Sequence, residues 1–93
     1  MNITYGPNKA ASNQRKHGVS FEEAETALLD EYALVQEDGD SETEQRFVLL
    51  GRSAKERLLV VVYAVWDEEA NLIRLISARL ATNRERDSYE SGI

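Results

Sequence analysis

Apolar and polar residues follow two different spacings along the 93-residue chain, helical before residue 30 and strand-like after it. The segment 20–28 repeats its apolar residues at helical spacing and opens with Ser20 three residues before Glu23. That pattern predicts a capping box, in which the Ser20 hydroxyl accepts from the Glu23 amide and the Glu23 side chain reaches back to the Ser20 N–H. Upstream, residues 9–17 contain no helix breaker between an N-cap at Asn8 and a stop at Gly18, so the sequence predicts two N-terminal helices.

Four strand-like segments follow, at residues 32–36, 46–51, 57–66 and 72–79. The connections 52–56 and 67–71 have the length of hairpin loops, so the last three segments should run as an antiparallel meander. From Leu58 onward the third segment is apolar at both odd and even positions. This pattern places it in the interior of the sheet, with both of its faces covered.

The end of the chain has helix signals on both sides. Thr82 three residues before Glu85 predicts another capping box, and Gly92 marks the helix end. The expected fold is therefore α+β in the order ααββββα, with two N-terminal helices, a four-stranded antiparallel sheet and a C-terminal helix. At this length folding buries only about 60 to 65% of the surface of the unfolded chain, so residues 1–93 should form a single domain around one core.

Composition narrows the classes of protein. The absence of Cys excludes a disulfide framework, a thiolate nucleophile and a thiolate zinc site. The apolar run 58–66 is too short to span a bilayer, and the first residues lack the apolar stretch of a signal peptide. The sequence thus predicts a soluble protein of the cytoplasm that has no membrane partner.

The net charge of −6 is unevenly distributed along the chain. Residues 20–44 contain ten acidic residues and no basic one, whereas the rest of the chain is net positive. An acidic balance argues against avid, non-specific binding to nucleic acid, but it is compatible with a local basic site. The acidic segment has two interpretations, a solvated face and a face that docks a basic partner, and the sequence does not choose between them.

Metal and cofactor chemistry have little support in the sequence. The acids from Asp38 to Glu44 alternate like the oxygen ligands of a cation. Counted from Asp38, however, the twelfth position is Leu49, where an EF-hand needs a bidentate Glu. We interpret the segment as a solvated loop and expect neither metal nor cofactor, because a Gly-rich phosphate loop and paired His are also absent. His17, the single histidine, has a structural interpretation, since a protonated imidazole is favoured in the last turn of a helix.

The remaining polar residues, Arg and Lys with one His and four Tyr, are sufficient for cleavage of RNA without a metal. The 2′-OH of RNA itself attacks the adjacent phosphate. The protein therefore needs only to bind phosphate, stabilise the additional negative charge, and move protons with one or two positioned groups.

Arg79 is the strongest candidate for a phosphate contact. Simple alternation in the last strand places Ser77 and Arg79 on one face with Ile73 and Leu75, and it puts Arg79 at the strand end beside the final helix. The alternative is that Arg79 forms a surface ion pair with Glu85 or Glu90 of that helix.

Four blocks of sequence carry a resemblance to a known family. In order along the chain, between residues 7 and 90, they are PNKAASNQRKHGVSFEEA, RFVLLGRS, LLVVVYAV and IRLISARLATNRERDSYE. The chain resembles the BrnT family of type II toxins, small ribonucleases that are paired with an antitoxin and are similar in fold to RelE-type ribonucleases. The family usually has an aromatic residue followed by Asp ahead of the first block, where this chain has Tyr5 and Gly6.

The resemblance implies cleavage of RNA that blocks translation. In this interpretation Arg79 is the main contact of the phosphate and the transition state, and Lys16 and His17 supply charge or proton transfer. The candidate catalytic residues are Lys16, His17, Arg46, Arg79 and Tyr89, and the candidate RNA-binding residues are Lys9, Arg52 and Arg84.

The resemblance also implies a protein partner. A BrnA-like ribbon-helix-helix antitoxin would neutralise the toxin and repress the shared operon as a complex, so operator DNA would be contacted only through the antitoxin. We expect a heterotetramer with the antitoxin or a homodimer of the chain alone. The alternative function is that of a catalytically inactive relative that serves as an antitoxin-binding module. Gly6 and the acidic charge favour this alternative, whereas the intact basic residues favour the enzyme.

Overall fold

In a computed structural model that describes residues 1–39 and 44–92, two helices pack on one face of a five-stranded sheet and a third helix lies against the other face. The elements are β1 (Asn2–Thr4), α1 (Pro7–His17), α2 (Phe21–Ala27), β2 (Leu34–Asp38), β3 (Gln45–Arg52), β4 (Leu58–Asp67), β5 (Leu72–Leu80) and α3 (Asn83–Ser91). The strand order is β1-β5-β4-β3-β2. Of the helices formed by the described residues, none has the length and apolar character needed to cross a membrane.

The sheet confirms the predicted meander and corrects the predicted strand count. Consecutive strands from β2 to β5 pair antiparallel, and β4 lies in the middle, as its doubly apolar pattern predicts. The prediction of a four-stranded antiparallel sheet is wrong in one respect, because β1 adds a fifth strand that runs parallel to the start of β5. β1 has only three residues, with Ile3 as its one large apolar residue, so it is too short to show the alternation that identifies a strand.

The two ends of α1 differ in how well the sequence predicts them. Gly18 ends the helix in the left-handed conformation, with φ 69°, as predicted. The N-cap is Gly6 rather than Asn8, because Pro7 occupies the first helical position, where its missing N–H has no intrahelical partner to lose. Gly6 supplies no side-chain acceptor to the exposed amides of the first turn.

The capping box of α2 forms only in part. The Ser20 hydroxyl accepts from the Glu23 N–H at 3.1 Å, as predicted. The Glu23 carboxylate does not take the predicted position at the Ser20 amide, because it is buried and bonds the Ser53 hydroxyl and the Arg57 guanidinium instead. The box at the start of α3 is complete in both directions.

The core lies between the helices and one face of the sheet. Phe21 and Ala24 of α2 pack with Leu59 and Val61 of β4 and with Leu75 of β5, and all five are at most 1% exposed. Burying these side chains supplies the apolar contact that holds α2 on the sheet. This side of the sheet is called the helix-covered face below.

The opposite side of the sheet, called the open face below, carries Leu34, Leu50, Val60 and Arg79 in one row across β2, β3, β4 and β5. A β-bulge determines that Arg79 is in this row. Two consecutive residues of β4 pair with Ser77 and Leu75, so Ile76 is an extra residue in β5.

The bulge overturns the predicted alternation in β5. Neighbouring residues on β4 point to opposite faces, so their partners Ser77 and Leu75 do so as well. Ser77 and Arg79 therefore lie on the open face, whereas Ile73 and Leu75 belong to the buried core. The predicted shared face is wrong, because one inserted residue moves the residues beyond it to the opposite face from the one that uniform alternation gives.

Asn13 fixes α1 to β5. It is 6% exposed, and its Nδ2 donates to the carbonyl oxygens of Val19 and Ala78, both at 2.9 Å. Its Oδ1 accepts from the Ala78 N–H at 3.0 Å. β1 does not reach this part of β5, so the Asn13 amide pairs the strand backbone in place of a neighbouring strand. These bonds hold the residue immediately before Arg79.

Gly51 allows α2 to approach β3 closely, and replacing it should destabilise the fold. A Cβ at this position would lie 2.8 Å from the Ala27 carbonyl oxygen and 2.9 Å from Leu49 Cδ2. We expect Gly51→Ala to lower the free energy of unfolding by about 1 to 3 kcal/mol in urea denaturation. The control is Gly39→Ala, whose Cβ would meet nothing within 4 Å and which should change stability little. Equal stability of the two variants would contradict the close packing of α2 on β3.

Candidate active site

Arg79 lies at the end of β5 and forms a two-bond ion pair with Glu85 of α3. Its Nη1 and Nη2 donate to the two carboxylate oxygens, Oε1 and Oε2, each at 2.9 Å. Nη1 also donates to the Leu80 carbonyl oxygen at 3.2 Å. The ion pair that the sequence leaves open as an alternative is thus the observed arrangement. The fork of Arg79 has the geometry that binds two oxygens of either a carboxylate or a phosphate.

The Arg79 guanidinium lowers the pKa of Glu85 from 4.5 to about 2, against the opposing effect of burial. A depressed pKa in the folded state makes the contribution of Glu85 to stability complete above pH 4.5, and this contribution is lost as the pH falls towards 2. We expect Glu85→Gln to remove this part of the pH dependence of stability. The change in the free energy of unfolding should be below about 1 kcal/mol, because the side chains of Arg79 and Glu85 are both partly exposed. Denaturant titrations of parent and variant between pH 2 and 5 measure it, and parallel curves would contradict the assignment.

Tyr89 and Arg52, two of the predicted site residues, meet at Asp30. The Tyr89 hydroxyl donates to Asp30 Oδ2 at 2.6 Å, and the Arg52 backbone N–H donates to the same oxygen at 2.8 Å. The Arg52 guanidinium lies over the Tyr89 ring, 5.5 Å from its centroid. The bond to Asp30, together with burial, raises the pKa of Tyr89. The phenol therefore stays protonated at neutral pH, with its proton donated to Asp30.

Asp30 belongs to the candidate site through these two bonds, and the sequence analysis did not single it out. Burial raises its pKa, but the bonds from the Arg52 N–H and the Tyr89 hydroxyl outweigh burial, and the net pKa is lowered. Its Oδ1 accepts from the Tyr32 N–H at 3.0 Å, which forms a turn and delays the start of β2 to Leu34, two residues after the predicted start. An Asp before a strand is typical of such a turn and is the available sequence signal.

A concavity of about 610 Å³ lies between the open face and α3. Residues that line it include Leu34, Gln36, Val48, Leu50 and Val60 from the sheet, with Glu85 and Ser88 from α3. Its floor is mainly aliphatic, so a ligand there is contacted by apolar side chains. The groups available to bind a phosphate lie at its edge, where Arg79 pairs with Glu85.

Arg46 lies at the far end of the open face, beside Arg74, a residue that the sequence analysis missed. Arg46 Nε and Arg74 Nη2 lie 3.4 and 2.7 Å from the same oxygen of Glu44. The Arg74 guanidinium also lies over the Trp66 ring, 5.2 Å from its centroid. The row of Arg46 and Arg74 is four β4 residues from the row of Arg79, or about 13 Å. Arg46 is therefore on the same face as Arg79 but not beside it.

Three predicted residues lie on the other side of the sheet. Lys9, Lys16 and His17 are exposed on α1, which packs on the helix-covered face. Lys16 and His17 are at the same end of the sheet as Arg79, but on the opposite face, and neither side chain makes a hydrogen bond or ion pair within residues 1–39 and 44–92. Arg84 is exposed in the first turn of α3. The structure thus brings together Tyr89 and Arg52 and places Arg79 on the same open face.

The described part of the chain holds no group of three His, Asp or Glu side chains arranged to bind a metal ion. Residues 40–43 of the predicted solvated loop lie outside the described residues, and Asp38 at its start belongs to β2.

These features define a small α+β protein with an arginine and tyrosine site on the open face of its sheet, beside the C-terminal helix. The chain belongs to the BrnT family, the ribonuclease toxins of type II toxin–antitoxin systems, because the family model matches residues 5–85. The matched region includes Arg79 and Glu85 and ends before Tyr89.

Comparison with solved structures supports the fold. The 1.1 Å crystal structure of the Brucella abortus ribonuclease toxin BrnT is similar, with a TM-score of 0.67 and 22% sequence identity. The match covers 89% of this chain and 99% of that chain. At this identity the likeness extends to the fold alone. No curated protein sequence matches the chain.

Proposed function

We propose that the protein is a metal-independent endoribonuclease toxin that inhibits translation by cleaving RNA. The observation that carries the proposal is the Arg79 fork, which lies on the open face and binds both oxygens of a carboxylate at 2.9 Å. A phosphodiester that replaces Glu85 would find the same two donors, and Arg is suited to such bidentate recognition. Family membership supports the reaction class.

The proposed reaction uses the 2′-OH of the substrate as the nucleophile. The bond between O2′ and phosphorus forms as the bond between phosphorus and O5′ breaks, which leaves a 2′,3′-cyclic phosphate and a 5′-OH. A base takes the 2′-OH proton and an acid gives a proton to O5′. Tyr89, whose phenol lies against the Arg52 guanidinium, would act as the acid, and Arg79 would stabilise the charge on the phosphate oxygens.

The other candidate residues have supporting parts in the proposal. Arg52 and Arg46 lie on the open face and would contact the RNA backbone on two sides of the concavity. Lys16 and His17 would supply charge or proton transfer from the end of α1, and this role requires the RNA to pass around the end of the sheet. Lys9 and Arg84 would bind more distant phosphates.

We propose a cognate BrnA-like ribbon-helix-helix antitoxin as the partner. It would neutralise the toxin in a heterotetramer and carry the complex to operator DNA, and without it the chain would form a homodimer. Because translation is the target, the cytoplasm would be the site of action. The antitoxin is also the partner expected of any type II toxin, which is the class that the family model defines.

Cleavage by the purified chain tests the proposed activity. We expect a single-stranded RNA to be cut at an unchanged rate in excess EDTA, and a DNA of the same sequence to remain intact because it lacks the 2′-OH. Inducing the chain in cells should arrest growth. A requirement for Mg²⁺, or equal cleavage of DNA, would contradict the mechanism and would direct attention to the carboxylates.

A second function, that of a non-catalytic antitoxin-binding module, is favoured by one specific observation. Glu85 already occupies the Arg79 fork, and Lys16 and His17 are on the other face of the sheet. If the chain neither cuts RNA nor arrests growth, yet binds its antitoxin, this second function replaces the first.

A further inference from the structure

The outer edge of β2 ends the sheet. β2 is the last strand in the order and pairs with β3 alone among the described strands. In an edge strand, alternate residues direct their backbone N–H and C=O groups outward, where another extended chain can pair with them. Such an edge is a site for strand addition when its side chains also favour a partner.

Exposed apolar side chains are concentrated at this edge. Leu29, Tyr32 and Val35 are 75%, 74% and 52% exposed. They are three of the six large hydrophobic residues that are exposed in the described structure, and they fall within seven consecutive residues. This density indicates an interaction surface rather than isolated surface hydrophobics.

The charge around these residues is negative. Glu31 and Glu37 are exposed on either side of Val35, and within the described residues neither side chain takes part in an ion pair or hydrogen bond. By contrast, other acids of the segment 20–44 are used inside the protein, because Glu23 pairs with Arg57 and Asp30 bonds Tyr89. The unused carboxylates at the β2 edge therefore complement a basic partner.

We propose that the β2 edge binds an extended basic and apolar segment of the antitoxin, which adds to the sheet as a sixth strand. This inference rests on the proposed function for the identity of the partner. Apolar side chains of the segment would contact Val35 and Tyr32, and its Lys or Arg side chains would contact Glu31 and Glu37. Backbone hydrogen bonds to β2 would supply the affinity that does not depend on sequence.

The position of the β2 edge suggests how docking of the antitoxin would neutralise the toxin. Leu34 and Gln36 of β2 also line the concavity on the open face. A strand paired with β2 would therefore lie beside the proposed path of the RNA. Docking there would narrow access to the concavity without a direct contact to Arg79.

The test compares two charge-reversal variants of the full chain with the protein encoded beside the toxin gene as the binding probe. Glu31→Lys/Glu37→Lys reverses the edge, and Glu68→Lys/Glu69→Lys makes the same change in charge in the exposed turn between β4 and β5. We expect the edge variant to bind about tenfold more weakly or worse, and the control variant to bind like the parent at 0.15 M salt. Equal binding by the two variants would overturn the proposal.

Hydrogen exchange locates the contact independently of the variants. We expect binding to slow exchange of the outward-facing amides of residues 34–38 in the parent chain, whereas protection confined to other strands or to α3 would overturn strand addition. RNA cleavage separates this inference from the proposed function. An edge variant that cuts RNA normally but escapes the antitoxin supports both. A chain that cuts no RNA but shows protection of β2 supports docking alone, and a chain that cuts RNA without such protection supports the activity alone.

Discussion

Arg79→Ala is expected to slow RNA cleavage about a hundredfold to a thousandfold and to abolish growth arrest, because it removes the fork that would bind the phosphate. The variant should remain folded. Among residues 1–39 and 44–92, the bonds it loses are the partly exposed pair with Glu85 and one bond to a backbone carbonyl, and an exposed pair contributes at most about 1 kcal/mol to stability. Cleavage rates of the purified protein, with urea denaturation in parallel, measure both effects.

Matched variants make the result specific to Arg79. Arg86→Ala removes the same charge from the exposed side of α3 and should leave cleavage unchanged. Arg79→Lys keeps the charge without the planar fork, so its rate should lie between those of the parent and Arg79→Ala. Lys16→Ala and His17→Ala test the contribution of α1. Parental toxicity of both Arg79→Ala and Lys16→Ala would show that the site lies elsewhere.

The ion pair with Glu85 is compatible with a role of Arg79 in binding phosphate. Glu85 carries one negative charge, as does a phosphodiester, so in the proposed function substrate binding would exchange one anion for another in the same fork. The side chains of Arg79 and Glu85 are partly exposed, which limits the energy of the pair that has to be broken. Until RNA arrives, Glu85 holds the guanidinium in the orientation in which it would meet the phosphate.

The sequence predicts those parts of the fold that rest on local signals. Gly18, the Ser20 N-cap and the pairing of Thr82 with Glu85 each depend on neighbouring residues, and each is confirmed. The central position of β4 follows from its own apolar pattern. β1 escapes prediction because its three residues are a strand only through pairing with β5, about seventy residues away in the chain.

The candidate site is less predictable because it depends on one inserted residue. β5 has no Gly or Pro to mark its bulge, so uniform alternation puts Arg74 and Arg79 on opposite faces, whereas the structure has both on the open face. Glu23 is a similar case. Its local pattern is that of a capping residue, but Arg57, thirty-four residues later, captures its carboxylate. The residues around Glu23 do not identify such a long-range partner.

Arg57→Met is expected to be the most destabilising of the substitutions considered, because it leaves the Glu23 carboxylate buried without its cation. The Glu23 side chain is 1% exposed, and its Oε2 accepts from Arg57 Nε at 2.9 Å and from the Ser53 hydroxyl at 2.7 Å. Breaking a buried pair from one side costs about 3 to 5 kcal/mol, and the 37% exposure of the Arg57 side chain places the expected loss at the lower end of that range. The control Arg86→Met removes an exposed Arg of α3 that does not contact Glu23 and should have little effect.

The pH dependence of the stability of Arg57→Met distinguishes the effect of an unpaired buried charge from that of lost packing. In the parent, the bond from Arg57 lowers the pKa of Glu23, so the contribution of the pair is complete above pH 4.5 and is lost as the pH falls. In the variant, burial without a cation raises the pKa of Glu23, so protonation stabilises the fold and stability falls as the pH rises through that raised value. The difference in unfolding free energy between parent and variant should therefore be largest at neutral pH and should shrink in acid.

Glu23→Leu/Arg57→Met, which removes both charges, should recover most of the loss at pH 7. A loss that is constant with pH, and that the double variant does not repair, would mean that Arg57 acts through the packing of its aliphatic stem.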